Sequence, residues 1–317
     1  MAARVLITET LDPDCAQWLA ERVEVVWVGL NEPQRLAELL PTVDGLIVRT
    51  YTQVNAALLD RAAKLKVVGR AGVGLDNIDL EACRARNVRV VYTPDANTQA
   101  VVEYVVGLML DAFRPRPVLD KPVSAEVFHQ IRAEQVGRQL EQLTLGILGF
   151  GRIGKRLGEV AHAIGMNVNV NDLLPEVELR KAVDYPFQYM SMEELLRKSN
   201  VVSIHVDGRP ENRHLIDAAA LSLLRRDVLL INTSRGMVID NAALAKWALD
   251  TPTARAILDV HDPEPPPADY PFWGIDNVLL MPHLASRTDR AMQNMSWVCR
   301  DVVTVLEGGE PQYPAWT

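Results

Sequence analysis

Residues 143–154 read Leu-Thr-Leu-Gly-Ile-Leu-Gly-Phe-Gly-Arg-Ile-Gly, an apolar run followed by three glycines in a GxGxxG spacing. The apolar run is typical of a buried strand, and the helical pattern of Lys155–Ile164 follows the glycines. In this context Gly149 makes a tight turn and Gly151 lets the backbone approach a pyrophosphate, while Gly154 lets the helix pack closely on the strand. The stretch therefore predicts the strand, turn and helix that open a dinucleotide-binding sheet.

An acidic residue follows at the distance that a dinucleotide site requires. The next strand-like run ends at Asn171 and Asp172, and Asp172 stands 18 residues after Gly154, where a carboxylate accepts hydrogen bonds from the adenosine ribose. The alternative is a glycine turn with an unrelated helix-capping aspartate, but the strand, glycines, helix and acid together favour the nucleotide site. A carboxylate repels a 2′-phosphate, and residues 173–179 contain no Arg or Lys to receive one. The sequence therefore predicts NAD rather than NADP.

The composition is that of a folded chain with about two domains. Its 317 residues are 48% hydrophobic and 23% charged, which excludes a disordered chain and a disulfide-stapled miniprotein. The formal net charge is −8, with Lys and Arg scattered, so we expect no nucleic-acid partner. Cys15, Cys83 and Cys299 form no metal-binding pattern, so we expect reduced, packed thiols and no metal. Without a signal segment or a long apolar stretch, we expect a cytoplasmic protein with no membrane partner.

Short β-branched runs alternate with helical patterns, which predicts parallel sheets with crossover helices. We expect early strands at Arg4–Ile7, Val23–Val28, Gly45–Val48 and Lys66–Val68, and six later strands at Leu143–Leu148, Asn167–Val170, Val201–His205, Val228–Asn232, Ala256–Leu258 and Val278–Met281. Gln99–Phe113 is apolar nearly all round, as in a helix sandwiched between domains or subunits. The stretch 120–142 has the composition of a charged helical connector, and 288–308 is helical. The predicted fold is α/β, with two Rossmann-like, doubly wound parallel-sheet domains.

Three polar residues follow later strands of the second series: Arg235, Glu264 and His283. Each has a simpler explanation when taken alone, namely a surface ion pair, a solvated loop charge and a satisfied loop histidine. Together they form an acid–base set suited to hydride transfer with a 2-keto acid, at the strand ends that border the ligand crevice. Arg235 offers a planar fork to the substrate carboxylate, and His283 can donate a proton to the carbonyl oxygen. Glu264 can orient the ring and favour the imidazolium.

The chain resembles the D-isomer-specific 2-hydroxyacid dehydrogenases, and most closely their 3-phosphoglycerate dehydrogenase branch. The resemblance covers almost the whole chain and is carried by Leu46–Thr50, Val67–Asp79, Asn97-Thr98, Gly146–Gly154, Asn232–Gly236, Asp259-Val260, Glu264-Pro265 and Pro282-His283. It implies that Arg235, Glu264 and His283 are the catalytic residues and that Asp259 holds the nicotinamide carboxamide.

With these assignments the expected cofactor-binding set is Gly149, Gly151, Arg152, Ile153, Gly154, Asp172, His205, Asp259, Thr233 and Val101. For the substrate, the resemblance implies that the backbone of Gly72, Val73 and Gly74 binds the carboxylate together with Arg235, and it places Arg49 near a substrate phosphate. Successive amides of a Gly-rich turn form an anion-binding nest, although a plain strand-to-helix turn explains the glycines equally well. For Arg49 the simpler explanation is an ordinary ion pair.

The family architecture implies a cofactor domain of residues 98–286 inserted in a discontinuous substrate-binding domain of residues 1–97 and 287–317. The active site would lie in a cleft that closes to exclude water. The helix Gln99–Phe113 would serve a homodimer interface, and burial inside one subunit is the alternative. Because the chain ends at Thr317, we expect no appended regulatory domain.

Two departures from the family pattern leave the substrate open. Asp207 and Arg209 stand where relatives have Pro and Thr beside the adenosine, and Val127–Gln130 replaces a Gly-x-Trp of the connector. A dehydrogenase of the 3-phosphoglycerate type is the expected function, and a glyoxylate or hydroxypyruvate reductase is the alternative enzyme. A hypothesis of another class is an NAD(H)-sensing binding protein similar to the corepressors that share this fold.

Overall fold

The computed structural model of the chain describes residues 2–316. It divides into two compact units, one comprising Met1–Asn97 with Ser286–Thr317 and the other comprising Thr98–Ala285. The second unit is thus inserted in the sequence of the first.

The first unit contains a five-stranded parallel sheet. Its strands are β1 (Arg4–Ile7), β2 (Glu24–Trp27), β3 (Gly45–Val48), β4 (Val67–Arg70) and β5 (Arg89–Tyr92), in the order β2-β1-β3-β4-β5. Its helices from the N-terminal segment are α1 (Pro13–Ala20), α2 (Pro33–Leu39), α3 (Ala56–Arg61) and α4 (Leu80–Ala85). This order has a reversal between β1 and β3, which is the switch point of a doubly wound sheet.

Apolar side chains cover both faces of this sheet. In β1, Val5 and Ile7 enter one hydrophobic core and Leu6 enters the core on the opposite face, because successive side chains of a strand alternate. The C-terminal segment adds two helices to this unit, α12 (Asp289–Ser296) and α13 (Val298–Leu306). Helix α13 packs on β4 at Gly69, where a Cβ would lie 2.5 Å from Cγ2 of Val302.

The second unit contains a seven-stranded parallel sheet in the order β12-β11-β10-β9-β6-β7-β8. Its strands are β6 (Thr144–Leu148), β7 (Asn167–Asn171), β8 (Gln188–Tyr189), β9 (Val201–Ile204), β10 (Leu229–Asn232), β11 (Arg255–Leu258) and β12 (Val278–Leu280). Its helices are α5 (Thr98–Phe113), α6 (Ala125–Glu134), α7 (Arg152–Ala163), α8 (Glu176–Arg180), α9 (Met192–Lys198), α10 (Ala218–Leu223) and α11 (Asn241–Asp250). The chain leaves β6 toward β7 on one side and later returns to β9 on the other side, so the carboxyl end of β6 lies at the switch point.

The two parallel sheets confirm the predicted fold class. The count of six strands for the second sheet was wrong, because the two residues of β8 are too few to show a periodic pattern. Within the stretch 120–142 only α6 and a 3₁₀ turn at Leu140–Gln142 are helical, and the stretch 288–308 contains two helices rather than one.

The remaining features of the fold concern the cysteines, groups of metal ligands and membrane-spanning helices. Cys15, Cys83 and Cys299 are free and buried. Within residues 2–316, no three His, Cys, Asp or Glu side chains are grouped as a metal site requires. In the same part of the chain, no helix is both long enough and apolar enough to cross a membrane.

Candidate functional site

The three glycines after β6 differ in what a side chain at each position would meet. Gly149 has a φ of 90°, and a Cβ there would lie 2.7 Å from the carbonyl oxygen of His205. A Cβ at Gly154 would overlap the carbonyl oxygen of Gly149, which would prevent the close packing of α7. At Gly151, a Cβ would have no described atom within 4 Å. Open space thus adjoins Gly151 at the N-terminus of a 12-residue helix, an arrangement suited to a pyrophosphate.

Asp172 lies directly after β7, and its carboxylate contacts the glycine turn. Its Oδ2 accepts a hydrogen bond from the backbone N–H of Phe150 at 2.6 Å, and its Oδ1 accepts one from the backbone N–H of Leu174 at 2.9 Å. The structure therefore brings Asp172 and the glycine turn together. The bond between Asp172 and a ribose stays a prediction.

The loop after β9 places a cation, Arg209, near Asp172. This proximity was not predicted from the sequence. Arg209 Nε donates to Asp207 Oδ1 at 2.7 Å, and Asn212 Nδ2 donates to the same oxygen at 2.9 Å. The hydrogen bond and charge of Asp207, and also the charge of Asp172, raise the pKa of Arg209. Arg209 lies outside residues 173–179, and folding brings it within electrostatic range of Asp172 from another loop.

Two buried polar atoms at strand ends have no hydrogen-bond partner among residues 2–316: Nδ1 of His205 after β9 and Oγ1 of Thr233 after β10. The other ring nitrogen of His205, Nε2, lies 2.8 Å from Ser203 Oγ. Burial lowers the pKa of His205 to about 3, so its ring is neutral near pH 7. Buried polar atoms without a partner are rare and mark places where a ligand can bond. These atoms and the open space at Gly151 fit a dinucleotide cofactor.

The remaining expected cofactor residues lie on helices. Arg152 and Ile153 form the first turn of α7, and Ile153 packs against the core of the unit. Val101 of α5 is buried within the same core. Val101 is therefore a packing residue in the structure, and a cofactor contact for it stays a prediction.

Glu264 and His283 are paired. His283 Nδ1 lies 2.7 Å from Glu264 Oε1, and an ionised carboxylate only accepts, so Nδ1 carries the proton and Nε2 is the nitrogen left for a substrate. Burial raises the pKa of Glu264, but the hydrogen bond and charge of His283 outweigh it and hold that pKa below its usual value. His283 has a φ of 56°, a left-handed conformation that non-glycine residues adopt mainly where the surroundings require it.

Arg235 lies in the loop after β10, which the side chain of the buried Asn232 organises. Asn232 Nδ2 donates to the carbonyl oxygen of Arg235 at 2.9 Å, and Asn232 Oδ1 accepts from the N–H and O–H of Ser234 at 3.0 and 2.7 Å. In the sheet, Asn232 lies opposite Leu258, and Leu258 lies opposite Leu280. The loops bearing Arg235, Glu264 and His283 therefore start at the same edge of three neighbouring strands.

Asp259 braces the loop that carries His283. It is 0% exposed, and its carboxylate oxygens accept hydrogen bonds from the backbone N–H groups of Leu284 and Ala285, each at 2.8 Å. Burial raises the pKa of Asp259, while these bonds and one from Tyr104 oppose the rise. The contact of Asp259 with a nicotinamide carboxamide stays a prediction. Tyr104 was not predicted as a site residue, because it lies far from Asp259 along the chain.

In the first unit, an arginine covers the turn that contains Gly72, Val73 and Gly74. Gly72 has a φ of 155°, and a Cβ there would overlap the guanidinium of Arg70, the last residue of β4. The carbonyl oxygen of Gly72 accepts from the N–H and the hydroxyl of Thr93, at 3.1 and 3.2 Å. Arg70 was not among the predicted site residues, and the structure places its guanidinium directly at the predicted anion-binding turn.

Arg49, at the end of the neighbouring β3, is held without a carboxylate on its guanidinium. Its Nη1 donates to the carbonyl oxygen of Thr10 at 3.3 Å, and its Nη2 lies 3.0 Å from the sulfur of Met292. The carboxylate of Glu9 instead accepts from backbone N–H groups of residues 49–52. Burial and the charge of Arg287 lower the pKa of Arg49. The simple ion pair is thus not seen among the described residues.

Comparison with known proteins relates the chain to one family. Residues 106–285 match the family described as D-isomer specific 2-hydroxyacid dehydrogenase, NAD binding domain. The match includes the glycine turn, Asp172 and the loops of Arg235, Glu264 and His283. It confirms the resemblance seen in the sequence.

Individual relatives are identical to the chain at about a third of the aligned residues. The D-3-phosphoglycerate dehydrogenase of Mycobacterium tuberculosis is 34% identical over 306 residues, which cover 96% of this chain and 57% of that protein. The hydroxypyruvate reductase of Thermotoga maritima is 32% identical over 295 residues, which cover 92% of this chain and 94% of that protein. A Thermus thermophilus protein of known crystal structure has 33% sequence identity to this chain. The two structures superpose with a TM-score of 0.85 over 98% of this chain and 99% of that one. The chain therefore spans little more than half the length of the mycobacterial relative.

Proposed function

Because the chain belongs to the D-isomer specific 2-hydroxyacid dehydrogenase family, we propose that it transfers a hydride between NAD(H) and a D-2-hydroxy acid or its 2-keto acid. The observation that supports this most directly is the 2.7 Å hydrogen bond between His283 Nδ1 and Glu264 Oε1. This bond joins two loops of the sheet that also carries the glycine turn and the loop of Arg235. A keto acid needs a proton donor for its carbonyl and a cation for its carboxylate, and these residue types supply both.

In this function NAD supplies the hydride acceptor or donor, and the protein supplies the proton, the charge and the orientation. Nε2 of His283 holds the proton that passes to the carbonyl oxygen during reduction and takes it back from the hydroxyl during oxidation. Glu264 keeps Nδ1 protonated and balances the charge of the imidazolium. Arg235 binds the substrate carboxylate and polarises the carbonyl that accepts the proton.

The cofactor residues follow from the fit of the turn after β6. The N-terminus of α7 at Gly151 would bind the pyrophosphate, and Asp172 would accept hydrogen bonds from the ribose. The other residues that we assign to NAD are Gly149, Arg152, Ile153, Gly154, His205, Thr233, Asp259 and Val101. The unpartnered atoms of His205 and Thr233 support this set among the described residues. We accordingly assign NAD binding to residues 98–286.

We assign substrate binding to residues 1–97 and 287–317. The backbone of Gly72, Val73 and Gly74 would bind the substrate carboxylate, and the guanidinium of Arg70 beside this turn supports an anion there.

A second negative group on the substrate would bind Arg49. Arg49 is 7% exposed, and the charge of Arg287 lowers its pKa while the charge of Glu9 raises it. Two neighbouring cations, one of them buried, favour a ligand with a phosphate or a similar anion. A 3-phosphoglycerate-type dehydrogenase is therefore our first assignment.

A hydroxypyruvate or glyoxylate reductase is the second candidate. The hydroxypyruvate reductase of Thermotoga maritima is 32% identical to this chain, nearly the same as the 34% of the mycobacterial phosphoglycerate dehydrogenase, and this similarity supports the second candidate.

We further propose that the protein is a cytoplasmic homodimer. Helix α6 has no buried residue, and apolar side chains on and near it are exposed, among them Val118, Val127, Phe128 and Val136. Such a cluster favours contact with a second copy, and α5 would extend the interface. Sedimentation at micromolar concentration tests this assignment, and a monomer would contradict it.

A panel of 2-keto acids with NADH, monitored by absorbance, tests the function. We expect reduction of phosphohydroxypyruvate, hydroxypyruvate or glyoxylate and loss of the rate in His283→Ala. Saturable NADH binding without turnover of any keto acid would instead indicate an NAD(H)-sensing binding protein. A parental rate in His283→Ala would contradict the mechanism.

A further inference from the structure

His261 lies where the three loops with Arg235, Glu264 and His283 meet. It is 7% exposed, and its Nε2 lies 2.8 Å from the carbonyl oxygen of Met281, two residues before His283. A carbonyl oxygen only accepts, so Nε2 carries the proton and donates it to this bond. The side chain of His261 therefore ties the loop after β11 to the start of the loop after β12.

The backbone of His261 contacts the loop that bears Arg235. A Cβ at Gly236 would overlap the carbonyl group of His261, so the glycine after Arg235 allows the loops after β10 and β11 to touch. The backbone of His261 also lowers the pKa of Glu264, which lies in the same loop. His261 thus belongs to the loop that bears Glu264 and contacts the loops that bear Arg235 and His283.

The chemistry of the ring indicates why a histidine stands here. The second ring nitrogen of His261, Nδ1, is buried without a hydrogen-bond partner among residues 2–316. The edge of the ring packs on Tyr270, with ring centroids 5.6 Å apart. An apolar ring such as Phe would fill the same space without an unpartnered polar atom, which is costly to bury. The bond from Nε2 to Met281 is the contact that only the imidazole makes.

We propose that His261 is a positioning residue whose bond to Met281 sets the separation of Glu264 and His283; this inference rests on the proposed function. Without the bond, Asp259 still holds the loop after β12 at Leu284 and Ala285, but the segment from His261 to Glu264 loses its tie to Met281 and can shift. The 2.7 Å contact between Glu264 and His283 then lengthens. A shift of about 1 Å at a catalytic group is enough to lower a rate about 100-fold.

Three substitutions separate the hydrogen bond from packing. His261→Gln keeps an N–H donor near the place of Nε2, His261→Asn can place one only near Nδ1, and His261→Phe keeps the ring without a donor. We expect kcat to fall about 10-fold to 100-fold in the Phe and Asn variants and to stay within about threefold of the parent in the Gln variant. We expect KM for NADH to change little in all three.

The pH profile supplies a readout that loss of packing alone would not move. All three substitutions remove the charge of His261, which itself lowers the pKa of Glu264, and this contribution is lost equally in each. When His283 also moves away, the pKa of Glu264 rises further, because the hydrogen bond and the charge of His283 weaken. The acid limb of kcat/KM for keto-acid reduction therefore moves to higher pH in the Phe and Asn variants than in the Gln variant. Asn277→Ala is the matched control, because it removes bonds to the carbonyl oxygens of Ala248, Thr251 and Ala254 at the opposite end of β12. It should lower the melting temperature and leave the acid limb in place.

Proton NMR of the ring N–H groups gives an answer independent of turnover. The Nδ1–H of His283, bonded to Glu264, should give a downfield resonance in the parent and in His261→Gln that is lost in His261→Phe. Equal resonances, rates and acid limbs in the parent and the Phe variant would overturn the inference. Failure of the Gln variant to restore the resonance and the rate would do the same. The parent could reduce no keto acid while the His283 resonance is still present in the parent and lost in His261→Phe. That result would contradict the proposed function and leave the positioning role standing.

Discussion

His283 Nδ1 and Glu264 Oε1 form a 2.7 Å hydrogen bond although 19 residues separate them along the chain. Each residue follows a different parallel strand, and the register of β11 with β12 brings the two loops to one edge of the sheet. Because Nδ1 faces the carboxylate, Nε2 is the nitrogen that can serve a substrate.

Glu264→Gln should lower kcat about 100-fold, because the amide orients the ring without balancing the charge of the imidazolium. In the parent, the lowered pKa of Glu264 keeps the carboxylate ionised as pH falls below the usual glutamate value. The pair and its contribution to folding stability are then lost as pH falls through that lowered pKa. Keto-acid reduction followed from about pH 8 down to the onset of acid unfolding checks this. An unchanged acid limb in the variant would assign that limb to another group.

Asp172→Ala should weaken NADH binding about 10-fold and improve the use of NADPH, since one carboxylate that repels the 2′-phosphate is removed. Arg209 lies within electrostatic range of Asp172 and would then pair with the phosphate. Adding Arg209→Ala should remove the gain for NADPH. Fluorescence titration with both nucleotides measures these affinities, and unchanged discrimination in Asp172→Ala would refute its ribose role.

Gly151→Ala should leave the folding stability of the protein within about 0.5 kcal/mol of the parent, because no described atom lies within 4 Å of the new Cβ. The methyl group nevertheless enters the space proposed for the pyrophosphate, so ADP-ribose should bind about 10-fold more weakly. Gly154→Ala is the contrasting change, since its Cβ overlaps the carbonyl oxygen of Gly149. It should cost about 1–3 kcal/mol of stability. Calorimetric titration and thermal unfolding separate the two effects, and equal ADP-ribose affinity in Gly151→Ala would exclude the turn as the phosphate site.

Arg49→Ala should raise KM for phosphohydroxypyruvate about 10-fold or more and change KM for glyoxylate much less, because only the former carries a second anion. Arg287→Ala should act in the same direction with a smaller effect, since Arg287 is exposed whereas Arg49 is buried. Arg35→Ala, which removes an exposed pair with Glu32, is the control. If both keto acids respond equally to Arg49→Ala, Arg49 is part of the scaffold and the reductase assignment gains.

The sequence predicted the parts of the site whose signal is local. The glycine spacing after β6 and the placement of Asp172 after β7 were readable because strands, turns and helices depend on residues close together in the chain. The strand β8 was not readable, since two residues carry no period. The proximity of Arg209 to Asp172 and of Tyr104 to Asp259 was not predicted, because each residue reaches its acidic neighbour from a distant segment.

The amino-acid sequence by itself determined the two parallel sheets, the glycine turn and the residue types available for proton transfer, because alternation of apolar residues and glycine positions act over a few neighbours. Only the tertiary structure decided which of these residues meet. The pairing of His283 with Glu264, the bond from His261 to Met281 and the burial of Arg49 depend on strand register and side-chain packing, and these place together residues that the chain keeps far apart.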